Sequence, residues 1–257
     1  MAILPWRRRR QLAEQAKLDE LNRLMSDQGA VILLEDSIRS LPVRSPWGTA
    51  HLGASEVSGK VIVYTLRYTM GATLPKTIDL LERCGHDAQI AKWGERYVFI
   101  YTLINSTGQT LYYYGGDAMY PSWPRKRDAG YECNIHSVWD LVLDIWPLYS
   151  HFHDGFLSCA QPSTGIYQVR DINEFSTGQF TSLGIDDEGL HERAKGCYPF
   201  YRSPTGDIVT LDITGQCPGR ADLWHPRADP ELDIDFWDTI DTLLTTTIDP
   251  HHNTQDD

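Results

Sequence analysis

Two pairs of β-type runs, each joined across a short turn, commit this chain to an antiparallel sheet. Tyr97 to Ile104 and Gln109 to Tyr114 flank Asn105-Ser-Thr-Gly108, and Tyr198 to Tyr201 and Asp207 to Ile213 flank Ser203-Pro-Thr-Gly206. Two such runs across a Gly-containing turn read as a hairpin. In the second pair Val209, Leu211 and Ile213 alternate with Thr210 and Asp212. Side chains leave a strand on alternate faces, so this alternation marks a half-buried strand. Further strands are expected at 30–34, at 60–70, from Gly165 to Val169 and from Ala221 to His225.

Helical spacing appears between these runs. Leu18, Leu21 and Met25 recur over 7–28, which Gly29 terminates. Pro75 opens a helix from Lys76 to Cys84 with Ile78, Leu80 and Leu81 inward, as proline suits a first helical position. A helix over 136–146 carries Val138, Leu141, Val142 and Ile145 on one face and stops at Pro147. A short helix is expected from Glu188 to Ala194. The last runs from Asp233 to Leu244, with Phe236, Trp237, Ile240, Leu243 and Leu244 as an apolar stripe, and Asp233 and Asp235 favouring its start. The tail from Asp249 onward is polar. The fold class is α+β, a mixed and mainly antiparallel sheet packed with helices. Residues 117–134, with Pro121, Pro124 and the basic run Arg125-Lys-Arg127, lack periodicity. They mark the expected boundary between an N-terminal α+β part, 1–130, and a C-terminal domain, 131–257.

Charge divides the chain in the same place. Residues 1–131 carry 17 Lys and Arg against 13 Asp and Glu; residues 132–257 carry 6 against 22. The acidic half repels phosphate backbones, which argues against nucleic acid as a partner, and attracts a basic one. Its plainer reading is a surface that aids solubility. Mean hydropathy is −0.37, and no apolar run reaches the ~18 residues of a membrane helix, so no membrane role is expected. The opening Met1-Ala-Ile-Leu-Pro-Trp6 places apolar residues before Arg7 to Arg10, the reverse of a secretory signal, and points to the cytoplasm. Cysteines at 84, 133, 159, 197 and 217 are odd in number and widely spaced, which reads as reduced, mostly buried thiols.

No nucleophile elbow, phosphate loop or dinucleotide fingerprint is present. Gly115-Gly116 follows a strand without opening a helix and reads as a turn. His151 and His153, with Asp154 beside them, have the spacing of a strand metal site, but a helical pattern there would turn them apart. Cys197 near His191 is a thin candidate for a thiolate pair. Neither a metal nor a cofactor is expected. Asp207, Asp212 and Asp222 lie on or beside the final strands, with His225 close. They can be a turn residue and solvated strand faces, a groove for a partner's Lys or Arg, or acid–base carboxylates.

The segments Trp146-Pro-Leu-Tyr-Ser-His-Phe-His-Asp-Gly155, Tyr198-Pro-Phe-Tyr201, Gly206-Asp-Ile-Val-Thr-Leu-Asp212 and Ala221-Asp-Leu-Trp-His225 stand in order before a helix. Their order and spacing over 137–246 resemble the SUKH superfamily, which includes bacterial immunity proteins and relatives of yeast cell-wall regulators. Trp224-His225 departs from the family's usual acidic pair. The resemblance implies a SUKH-like C-terminal domain that acts as an immunity protein. It would bind and neutralise a co-encoded, basic protein toxin, a nuclease among the candidates. Asp154, Asp207, Asp212, Asp222, Trp224 and His225 are the candidate partner-binding residues. A regulatory scaffold of the same superfamily is the alternative, and a hydrolase using the His and Asp groups is a third.

Overall fold

The computed structural model describes residues 6–25, 31–33, 67, 70–93, 96–116, 154–168, 172–213 and 217–251. Among the described residues ten strands form one sheet in chain order, each antiparallel to the next. They are β1 (Val31–Leu33), β2 (Gly85–Trp93), β3 (Arg96–Ile104), β4 (Thr110–Gly116) and β5 (Asp154–Ser158). Then come β6 (Gly165–Ile166), β7 (Cys197–Arg202), β8 (Ile208–Asp212), β9 (Ala221–Trp224) and β10 (Glu231–Ile234). The helices are α1 (Trp6–Leu24), α2 (Pro75–Cys84), α3 (Thr177–Leu183), α4 (Glu188–Arg193) and α5 (Phe236–Ile248). The α+β class with a mainly antiparallel sheet is therefore what the chain adopts.

Alternation along the strands sorts side chains to two faces. On β3, Phe99, Tyr101 and Leu103 enter one core while Val98 and Ile100 enter another. On β8, Val209 and Leu211 join the first core, and Ile208 joins a third on the opposite face. The first core runs under α2 and α5 and takes in Phe156, Phe200, Tyr201, Ile78, Leu81, Phe236, Ile240 and Leu244. Across the sheet, α1 covers one end through Leu21 and Met25, and α3 and α4 cover the other with Phe180, Leu183 and Leu190.

The clasp between α2 and α5 decides how the first core closes. Pro75 fixes the first turn of α2, which has no cap of its own. The buried Asp241 of α5 supplies one: its carboxylate accepts from the Lys76 N–H at 2.9 Å and the Thr77 N–H at 2.7 Å. A negative charge at a helix N-terminus is favourable, and these donors have no partner within the helix. A second tie joins Asp249 to Ser106, in the turn between β3 and β4.

The expected hairpins form, with the 105–108 turn held by the Asn105 side chain accepting from the Gln109 N–H at 2.9 Å. Several expectations are corrected. Gly115 and Gly116 are strand residues of β4 and not a turn. Arg67 and Met70, at the end of the expected 60–70 strand, lie in helical turn, where the Gly71 N–H donates to the Arg67 carbonyl. The last helix starts at Phe236, because Asp235 caps it by accepting from the Asp238 N–H, and Glu231 to Ile234 form β10. Trp237 packs against the core edge with partial exposure, whereas Phe236 is buried. The expected helix at 136–146, the boundary at 117–134 and the tail beyond 251 lie outside the described residues. On either side of that boundary, β4 and β5 are neighbouring strands, with Tyr114 opposite Leu157.

Candidate functional site

The candidate residues gather at the β7–β10 end of the sheet because the register brings them there. Ile208 lies opposite Trp224 and Thr210 opposite Asp222, so Asp207 and His225 meet just beyond the ladder. Their environments then divide them into two groups.

The first group is interior. Asp212, Asp222 and Trp224 are 0%, 1% and 0% exposed. Asp222 takes a bidentate pair from Arg193, with Nη2 at 2.6 Å and Nε at 3.0 Å, and also accepts from the Asp233 N–H at 3.0 Å. That last bond holds Asp233 at φ 57°, in the left-handed region that aspartate tolerates better than most residues. Arg193 also reaches the Asp233 carboxylate, so one guanidinium fastens α4 to β9 and β10. Asp212 accepts from the Cys217 N–H and pairs with Arg220 at 3.4 Å. Arg220 in turn donates to the Arg193 carbonyl at 2.5 Å. Trp224 donates from Nε1 to the Thr210 hydroxyl at 2.8 Å and packs on Phe175 and Phe180. These three residues therefore brace the fold and do not face a partner. A buried carboxylate needs such fixed donors, and alternation alone cannot reveal them.

The second group lies at the rim. Asp207 accepts from the Ser203 hydroxyl at 2.6 Å, from Thr205, and from His225 Nδ1 at 2.9 Å. His225 Nε2 meets Glu231 at 3.1 Å. Partial burial opposes charge on both, but the hydrogen bonds outweigh it: the His225 pKa is raised and that of Asp207 is lowered. Ser203 and His225 both bond the same carboxylate. A nucleophile and its base must instead bond each other, so this cluster works as a latch between the 203–207 turn, β9 and β10.

Cys197 and His191 make separate contacts. The thiol lies 3.7 Å from the Arg193 carbonyl, and His191 meets the Ile185 carbonyl at 3.0 Å. Burial pushes the Cys197 thiol up to about 11, against a lowering contact from Arg220. Cys84 and Cys159 are also buried and free, whereas Cys217 is exposed. Asp154 sits on β5 opposite Gly116, and His151 and His153 lie outside the described residues. Among the described residues no group of three His, Cys, Asp or Glu side chains is placed to hold a metal ion, and no helix is long and apolar enough to cross a membrane.

Sequence reasoning missed the exposed edge. Asp229, Glu231, Asp233, Asp235 and Asp238 are all exposed along the β9–β10 turn, β10 and the start of α5, and Arg227 is the sole cation of that stretch. By contrast Asp212, Asp222, Asp241 and Asp249 are buried, so part of the acidic excess is internal. No family model matches the chain, and neither the curated proteins nor the solved structures give a match.

Proposed function

We propose that the chain is an immunity-type binding protein that acts in the cytoplasm and neutralises a basic, co-encoded protein toxin through its acidic edge. The observation that carries this reading is the run of five exposed carboxylates from Asp229 to Asp238, of which Asp233 meets Arg193, Asp238 meets Lys76 and Glu231 meets His225, each still open to solvent. The order of the SUKH-like segments supports the immunity role. Charged and bulged edge strands also guard a sheet against unwanted pairing. At β10 the register shifts between Glu231 and Ile234, so an added strand finds no regular ladder. The partner is therefore met by side-chain charge, not by strand addition. A nuclease toxin, whose substrate is a polyanion, offers a cationic surface of the required kind. Such complementarity acts mainly on association rate and partner choice.

The test uses the product of the neighbouring gene. Wild-type protein should rescue cells expressing it, and raising salt should slow association more than it speeds dissociation, because exposed charges are screened beyond ~8 Å at physiological ionic strength. The reversal Asp229→Lys should rescue less well while keeping its circular dichroism spectrum. Asp222 is unsuitable for reversal, since it holds Arg193 inside the fold. Absence of both rescue and binding by the wild-type protein would overturn the reading.

A further inference from the structure

Between the part of the sheet's second face covered by α1 and the part covered by α3 and α4 lies an open cleft of about 590 Å³. That volume falls within the range of sites that take small ligands or short peptide segments. Leu157 and Pro199 form apolar parts of its wall, and Tyr167, Ser163, Glu174 and Gln179 add polar groups. Pro199 has no N–H, and the β7–β8 register shifts beside it, so the sheet is irregular here.

Three of the lining groups are held in position by the protein itself. The Tyr167 backbone is tied to β7, its N–H donating to the Phe200 carbonyl at 2.9 Å. Glu174 Oε1 accepts from the Gly196 N–H at 3.0 Å, and its second oxygen has no partner among the described residues. Gln179 Oε1 accepts from the Ser176 N–H at 2.7 Å and from its hydroxyl, which leaves the amide nitrogen as a donor. A ligand for this cleft must bring a donor to the carboxylate and an acceptor to the amide. Among the described residues of the lining Glu174 is the one that is charged, so a cation is favoured over a neutral polyol. We infer that the cleft is a second contact site, apart from the acidic edge, that takes an arginine side chain with its adjoining peptide carbonyl from a protein partner. The guanidinium meets Glu174 and stacks near Tyr167, and the carbonyl accepts from Gln179. A planar, weakly hydrated guanidinium suits a carboxylate beside an aromatic ring better than an ammonium does. Groups ordered before binding lose little freedom when they bind.

The test titrates the full-length, nitrogen-15-labelled chain with N-acetyl-Gly-Arg-Gly-amide, with the same tripeptide carrying citrulline in place of arginine, and with cellobiose. The arginine peptide should shift the Tyr167, Glu174 and Gln179 amide signals, with a Kd on the order of millimolar. Citrulline keeps the shape but not the charge and should not saturate. Glu174→Gln keeps an acceptor for Gly196 and should weaken binding about threefold or more. Ser163→Lys, on an exposed turn, should weaken it as well and serves if the first variant loses stability. Equal binding of the citrulline peptide, binding of cellobiose alone, or shifts confined to 229–238 would overturn the proposal. The Asp229→Lys variant should bind the peptide as wild type does, and a loss there would equally overturn it. Peptide binding in the cleft without toxin rescue would sink only the immunity reading.

Discussion

Asp241 and Asp222 show what a buried carboxylate does when its partners are backbone donors or a guanidinium. Asp241 takes the two N–H groups that Pro75 leaves at the start of α2. Removing a charged acceptor from buried donors costs roughly 2–3 kcal/mol, so Asp241→Ala should lower the melting temperature by several degrees. Asp241→Asn, which keeps one acceptor oxygen, should lose less; equal melting curves for Asp241→Ala and wild type would refute the capping role. Asp222→Ala strands the half-buried Arg193 and the Asp233 N–H, and breaking a buried pair costs about 3–5 kcal/mol. The low end is expected here because the Asp233 carboxylate still meets Arg193. Chemical denaturation of the two proteins measures the difference. Neither role was legible in the sequence. Asp241 sits 164 residues from Thr77, and Asp222 reads as one polar step in an alternating strand. The nearest signal was Pro75, which opened a helix with Leu74, not Ser, Thr, Asp or Asn, at the capping position immediately before it.

The 203–207 turn, β9 and β10 are joined by one imidazole, and that contact sets a pH window. His225, with its pKa raised, adds stability that is complete below its unfolded value of ~6.5 and is lost as pH rises through the higher folded value. Asp207, with its pKa lowered, adds stability present above its unfolded value of ~3.9 and lost as pH falls through the lower folded value. The latch is thus strongest between about pH 4 and pH 6.5. The difference in melting temperature between wild type and His225→Gln should be largest there and shrink towards pH 8. A difference that grows with pH would contradict the latch. The hairpins, α2 and the stripe of α5 were legible because each repeats its period over several residues. β2 was not, since His86-Asp-Ala-Gln89 alternates too weakly to announce a strand. β10 was absorbed into the last helix because Asp233 and Asp235 both resemble helix starts, although only Asp235 is one.

The first core draws Met70, Ile78, Phe99 and Tyr113 from the N-terminal half and Phe156, Tyr201, Val209 and Ile240 from the other. Neither set fills that core alone. Residues 131–257 expressed by themselves should therefore expose apolar surface and bind a hydrophobic dye, and the full chain should melt in a single transition with equal calorimetric and van't Hoff enthalpies. Two separate transitions would show that the halves fold independently. The cleft illustrates why sites of this kind escape sequence reading: Leu157, Tyr167, Glu174, Gln179 and Pro199 share no motif and meet only through the sheet. The order of the strands has a kinetic consequence. Every strand pairs with its neighbour in the chain, and the pairs β2–β3, β3–β4, β5–β6, β7–β8, β8–β9 and β9–β10 each close a short loop at small entropic cost, whereas 34–84, 117–153 and 167–196 separate the other three pairs. The clasp of α5 on α2 instead waits for the last described helix, across more than 160 positions. Until that contact forms, the sheet is a template with an open apolar face. Loss of Asp241 should therefore hasten unfolding far more than it slows folding, leaving the refolding limb of a chevron plot almost unmoved while the unfolding limb rises.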